Sequence, residues 1–275
     1  MITMQETMDV IRKYAPQFTA KVGILLGSGL GAVAEQLTHP ITIPYQAIPG
    51  LQAGSVAGHA SLLVLGFLQD VPVVCLKGRL HSYEGVSYQS ICTLIRIVKQ
   101  LGADDIILTA AGGSLSVEMD SGEIMMVTDQ IHFQSGNPLV GPNDESIGPR
   151  FPSMENAYND ESRNLLLEVS KHLDIPVREG IHASSPGPSF ETPAEIRAYR
   201  TLGADSISMS MTSETIIARH CDLRVLGLVA ITNLAAGLGH EKVTHELTLQ
   251  HGEATTHKLI KLISGVVVKM GQRIE

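Results

Sequence analysis

The chain has 275 residues, 44% of them hydrophobic and 17% charged, the balance of a well-buried globular protein, which excludes a disordered one. Its net charge of −8, with no Lys/Arg cluster to offset it, argues against a nucleic-acid surface. Three widely spaced cysteines argue against a disulfide framework and for a reducing cytoplasm, and no apolar run reaches transmembrane length.

Residues 4–14 read as an amphipathic opening helix, with Met4, Met8, Val10 and Ile11 on its apolar side. The first 14 residues mix Gln, Glu, Asp and Arg with apolar side chains, unlike a secretory leader. Residues 22–26 form an apolar run typical of a buried strand, and it ends in Gly27-Ser28-Gly29-Leu30-Gly31. Residues 32–37 then read as a helix. Alternating glycines let backbone N–H groups approach a ligand, and a helix start beside them favours an anion. A tight turn without a ligand fits the same residues. The spacing does exclude two familiar loops. No Gly-Lys pair occurs, as a Walker loop needs, and no acidic residue lies between Glu35 and Asp70 to hold a dinucleotide ribose.

Residues 40–58 are rich in Pro, Gly and Gln and lack a helical period; they lead to Gly58-His59-Ala60. Two apolar runs, 61–66 and 71–76, then read as a hairpin-like pair. Between the second run and a helix over 88–101 lies Gly78-Arg79-Leu80-His81-Ser82-Tyr83-Glu84-Gly85. In an extended segment Arg79 and His81 point to one side, which suits a phosphate or carboxylate. Tyr83 offers a hydroxyl and a flat ring for a sugar. A polar strand end paired with a surface carboxylate such as Glu84 is the plainer alternative.

Residues 105–109 read as a buried strand ending in a second small-residue turn, Ala110-Ala111-Gly112-Gly113-Ser114, and 123–127 as another strand. Residues 134–160 show no period, a length usual for functional or mobile loops. A helix over 160–173 and a strand over 177–184 follow. The turn Pro186-Gly187-Pro188-Ser189-Phe190-Glu191-Thr192-Pro193 then presents Phe190 and Glu191 ahead of a helix over 194–202. Glu191 either favours that helix dipole or faces a ligand. A strand over 206–209 exits at Ser210, a helix over 213–220 has Ser213 as its expected N-cap, and the last strand, 224–231, ends in Thr232-Asn233. Residues 246–269 form the closing helix. His240-Glu241 and His245 are one residue too far apart for a zincin helix, and no Gly-x-Ser-x-Gly elbow exists, so neither a metal nor a serine nucleophile is expected.

Taken together, the motifs Gly27-Ser28-Gly29-Leu30-Gly31, Gly58-His59-Ala60, Gly78-Arg79-x-His81-x-Tyr83-Glu84-Gly85, Gly187-Pro188-Ser189-Phe190-Glu191-Thr192, Met209-Ser210 and Ile231-Thr232-Asn233 resemble those of the trimeric purine nucleoside phosphorylases. That group includes the inosine–guanosine and xanthosine phosphorylases, and the likeness covers nearly the whole chain. It implies a single α/β domain over residues 1–275, a mixed, twisted and partly closed sheet surrounded by helices. It implies phosphorolysis of 6-oxopurine nucleosides to base and pentose 1-phosphate, with inorganic phosphate as co-substrate and no cofactor or metal.

By the same resemblance phosphate meets Ser28, His59, Arg79, His81, Ala111 and Ser210. The nucleoside meets Tyr83, Phe151, Phe190, Glu191, Met209, Thr232, Asn233 and His245. His81, Glu191 and Asn233 carry the chemistry, and Phe151 is lent by a neighbouring subunit of a homotrimer or a dimer of trimers. Neither nucleic acid nor membrane is a partner. The chain departs from the family in three places. Thr109-Ala110-Ala111-Gly112-Gly113 lacks the usual Asn, Met209-Ser210-Met211-Thr212-Ser213-Glu214 lacks the usual Pro, and Asp129-Gln130-Ile131-His132 replaces Asp-His-Ile-Asn. Two alternatives stand beside this reading: a methylthioadenosine phosphorylase, against which Asn233 speaks, and a catalytically weak nucleoside-binding relative, motivated by the altered turn.

Overall fold

The computed structural model describes residues 2–52, 54, 60–239 and 244–273. At its centre β1 (Val22–Leu26) is buried at every position. A strand with apolar residues on both faces needs a cover on each, and strand neighbours for its backbone. β4 (Val71–Lys77) and β5 (Asp105–Ser114) flank it in parallel. β3 (Leu62–Leu68) makes an antiparallel hairpin with β4 across Gln69 and Asp70, whose φ values of 50° and 62° are those of a two-residue hairpin turn. β2 (Thr38–Pro44) adds an outer edge against β3.

On the far side of β5 the sheet closes on itself. β5 pairs with β8 (Ser206–Ser208), which is followed in order by β7 (Arg178–Ser184), β6 (Ile124–His132) and β9 (Arg224–Leu234). β9 then pairs back onto β5 in parallel along the whole strand. Parallel and antiparallel ladders occur together, so the sheet is mixed and partly closed, as expected.

Alternation along the strands sorts the core into two layers. Leu25, Val74 and Leu76 join one apolar cluster with α1 (Met4–Tyr14), α2 (Tyr88–Gln100) and α5 (Thr212–His220). Ile24, Leu26, Val73 and Cys75 join the other, with α3 (Asp160–Leu173) and α6 (His245–Gly271). Helices therefore cover both faces of the sheet. α4 (Pro193–Thr201) closes a smaller cluster over β7 and β8. Among the described residues no helix is long and apolar enough to cross a membrane.

Several local expectations need correction. The helix expected over 32–37 is a short 3₁₀ segment, Gly31–Gln36, and strand β2 was not foreseen at all. Gly27 answers strand packing: a Cβ there would sit 2.9 Å from both Ala110 Cα and Thr109 O of β5. Residues 110–114 are not a turn, since β5 stays extended and paired through Ser114. The N-cap of α5 is Met211 rather than Ser213; with φ at 79°, Met211 turns the chain into the helix, and its carbonyl accepts the Thr215 N–H at 2.9 Å.

Candidate active site

β1, β4, β5 and β9 run in one direction, so their C-terminal ends open on a common edge, where ligands of open α/β sheets gather. There the exits of these strands, with those of β7 and β8, line a cavity of about 310 Å³. Ser28 enters it after β1, Arg79 and His81 after β4, Ala111 from β5, Ser210 after β8, and Thr232 and Asn233 from β9. Tyr83, Phe190, Glu191, Met209 and His245 complete the residues singled out from sequence. His59 lies outside the described residues, as do His240 and Glu241.

One pole of the cavity suits an anion. Arg79 is 1% exposed; its Nε donates to Glu214 Oε1 at 2.5 Å and its Nη1 to the Thr109 carbonyl at 2.7 Å. Two anchors hold the guanidinium plane without a rotamer cost on binding. His81 stacks on Tyr83, with ring centroids 4.6 Å apart and planes at 19°. Glu84 Oε1 accepts the His81 backbone N–H at 3.0 Å and lies 3.1 Å from Nδ1. A carboxylate only accepts, so the Nδ1 proton is fixed there. The pairing with Glu84 thus exists, but the carboxylate is 2% exposed, not a surface group, and His81 still lines the cavity. Burial, then the charge of Glu84, pushes the Tyr83 phenol up to about 12, so it stays a neutral hydroxyl.

The other pole pairs an acceptor with a donor. Thr192 caps α4 in a capping box with Glu195, which leaves Glu191 to the cavity. The Ser185 hydroxyl donates to Glu191 Oε1 at 2.5 Å and sets the carboxylate plane. Asn233 Nδ2 faces the Leu234 carbonyl at 2.9 Å, while the Thr232 hydroxyl donates to Asn233 Oδ1 at 2.8 Å. A carbonyl cannot donate, so the amide has one orientation, with its N–H₂ end as donor. Met209 and Tyr83, which also line the cavity, crowd Gly187. A Cβ on Gly187, whose φ is 63°, would sit 2.5 Å from Met209 Sδ and 3.0 Å from Tyr83 Cδ1, so only glycine fits.

Phe151 is not brought to this cavity. It is 87% exposed and lines a separate hollow with His132, Leu139, Val140 and Met154. Sequence reasoning missed Glu214 and Ser185 as the partners of Arg79 and Glu191, and the lining residues Ile207, Ser208, Ala235 and Ala236. Nothing local marks Glu214, which meets Arg79 across 135 residues of chain. Among the described residues no group of three His, Cys, Asp or Glu side chains is arranged to hold a metal. Burial pushes the Cys75 thiol up to about 12 and the Cys221 thiol up to about 11, which leaves neither as a thiolate nucleophile.

The sequence profile of the Phosphorylase superfamily matches residues 21–268. Purine nucleoside phosphorylase 1 of Bacillus subtilis (strain 168) is 39% identical over 259 residues, which is 94% of this chain and 95% of that one. The crystal structure of Schistosoma mansoni purine nucleoside phosphorylase in complex with inosine superposes with a TM-score of 0.91 at 30% identity, covering 99% of this chain and 96% of that one. The same organism's enzyme in complex with adenosine gives a TM-score of 0.93 at 31% identity, covering 99% and 98%.

Proposed function

This chain belongs to the purine nucleoside phosphorylase family and is a pentosyltransferase, and from that premise we propose that its substrates are 6-oxopurine ribo- and deoxyribonucleosides. Inosine and guanosine head the group, with xanthosine beside them. The observation that carries the reading is that one cavity is lined both by Glu191 and Asn233 and by Arg79, His81 and Ser210. Breaking the glycosidic bond builds positive charge on the sugar and negative charge on the departing base. Phosphate held by Ser28, His59, Arg79, His81, Ala111 and Ser210 stabilises the sugar cation and attacks it. Glu191 accepts from N1–H, and the fixed Asn233 amide donates to N7 or O6 as that side of the base gains charge. Preorganised dipoles at a developing charge are the main source of rate in such a site.

Tyr83 and Met209 pack the ribose, His245 reaches its 5′-hydroxyl, and Phe190 and Thr232 complete the base pocket. The phosphate dianion supplies the negative charge that the sugar cation needs, so the reading calls for no metal or organic cofactor. A single domain spans residues 1–275, in keeping with a family match over 21–268. Phe151 at 87% exposure and Val140 at 81% favour a homotrimer, or a dimer of trimers, in which Phe151 covers the next subunit's nucleoside. Three buried free thiols suit a reducing cytoplasm.

A Schistosoma relative holds adenosine, so binding alone does not decide the base. Turnover does. At saturating phosphate, inosine and guanosine are expected to be cleaved at least about 100-fold more efficiently than adenosine or methylthioadenosine, because a 6-amino group meets the Asn233 N–H₂ donor to donor. Equal efficiencies across that panel would remove the 6-oxopurine assignment, and a native mass of one chain would remove the trimer.

A further inference from the structure

Behind Ser210 lies a buried polar cluster that the reaction above does not use. β7 and β8 run parallel with His182 opposite Ser206 and Ser184 opposite Ser208. Side chains alternate along a strand, so these four share one face. The other face carries Ala183 and Ile207 into the apolar cluster beneath α4. His182 is wholly buried, with Nδ1 2.8 Å from Ser206 Oγ and Nε2 2.9 Å from Ser208 Oγ. Ser208 Oγ in turn accepts the Ser210 N–H at 3.2 Å, and the Ser184 hydroxyl donates to the Ser210 carbonyl. Both backbone polar groups of Ser210 are therefore held from this face.

A histidine against a serine hydroxyl has two chemical meanings. In the first it is a base that activates a nucleophile. Burial, reinforced by the charge of Arg79, pushes His182 down to about 3, although its contact with the Ser210 carbonyl works the other way. Taking the Ser208 proton would therefore be steeply uphill. The partner on Nδ1 is the neutral Ser206, not the carboxylate that would stabilise an imidazolium. The second meaning is a neutral link that donates on one nitrogen and accepts on the other. The local backbone needs such a link. Met211, next after Ser210, holds φ at 79°, a conformation costly for a residue with a side chain, and it persists only where neighbours enforce it.

We propose that His182 is a positioning residue for the anion pole: through Ser208 it fixes the Ser210 backbone so that the Ser210 hydroxyl meets phosphate. The proposal rests on the phosphate reading of that pole. His182→Phe keeps an aromatic ring of somewhat larger volume and removes both hydrogen bonds. It is expected to raise the KM for phosphate about tenfold while the KM for inosine stays within about twofold, since one lost hydrogen bond at the anion site is worth roughly that factor. Ser208→Ala cuts the link, keeps the His182–Ser206 contact and should show the same selective rise, which covers a His182→Phe chain that fails to fold. Ser206→Ala, on the far nitrogen, should have a smaller effect of the same kind. A phosphate KM within twofold of wild type in the folded variants overturns the proposal, as do equal rises in both KM values. A wild-type enzyme that releases base equally fast without phosphate overturns the phosphate reading first, and the proposal with it.

Discussion

Asn233→Asp is expected to lower the efficiency of inosine phosphorolysis by about 100- to 1,000-fold, the usual cost of losing a preorganised donor at a developing negative charge. The geometry leaves the new side chain no good orientation. One of its oxygens must face the Leu234 carbonyl, now 2.9 Å from Asn233 Nδ2, and acceptor would meet acceptor. The Thr232 hydroxyl can still donate to the other oxygen, as it does to Oδ1, so the turn keeps part of its support. At the base, a donor to N7 or O6 becomes an acceptor that repels the charge growing there. A 6-amino purine can donate to that acceptor, so adenosine should lose less than inosine and the inosine-to-adenosine efficiency ratio should fall. Steady-state kinetics on both nucleosides reads this directly. An unchanged ratio would take base choice away from Asn233.

Glu214→Ala is expected to destabilise the fold by about 3–5 kcal/mol, the range for removing one partner of a buried ion pair. Arg79 and Glu214 are 1% and 3% exposed, and the carboxylate lies 2.5 Å from Arg79 Nε. Removing it leaves the guanidinium charge buried without its carboxylate, while Nη1 still donates to the Thr109 carbonyl. Arg79→Met fails for the converse reason, since it strands the Glu214 carboxylate in the first turn of α5. Arg79→Met combined with Glu214→Leu replaces the pair by apolar groups of similar volume and should recover most of the lost thermal stability. Activity should not return with it, because the anion pole has lost its guanidinium, and the phosphate KM should stay at least about tenfold above wild type. A double variant no more stable than Glu214→Ala would refute the uncompensated-charge explanation. A double variant with a wild-type phosphate KM would take Arg79 out of the anion site.

What was legible in the sequence follows from how local each signal is. Val22–Leu26 announces a strand because burial on both faces makes its apolar run continuous. Asp160–Leu173 announces a helix because acidic residues open it and Lys171 and His172 close it. β2 escapes notice because it is an edge strand in which only Ile43 is buried, and its Ile41–Ile43 alternation is short and flanked by Pro40 and Pro44. The motif residues could be named, but their meeting depends on four strands sharing a direction, which no local pattern encodes. The anchors behind them, Glu214 for Arg79 and Ser185 for Glu191, were invisible for the same reason. Phe151 marks another limit: its own chain leaves it exposed, so its use belongs to whatever packs against it.

If one cavity holds a phosphate beside Arg79 and a purine nucleoside against Glu191 and Asn233, bond cleavage is phosphate attack. The most direct measurement follows inosine in rigorously phosphate-free buffer and again after phosphate is added, with the sugar product identified by ³¹P NMR. Hypoxanthine release is expected only with phosphate present, with one ribose 1-phosphate for each hypoxanthine. Hypoxanthine released at the same rate without phosphate, with free ribose as the other product, would contradict phosphate attack.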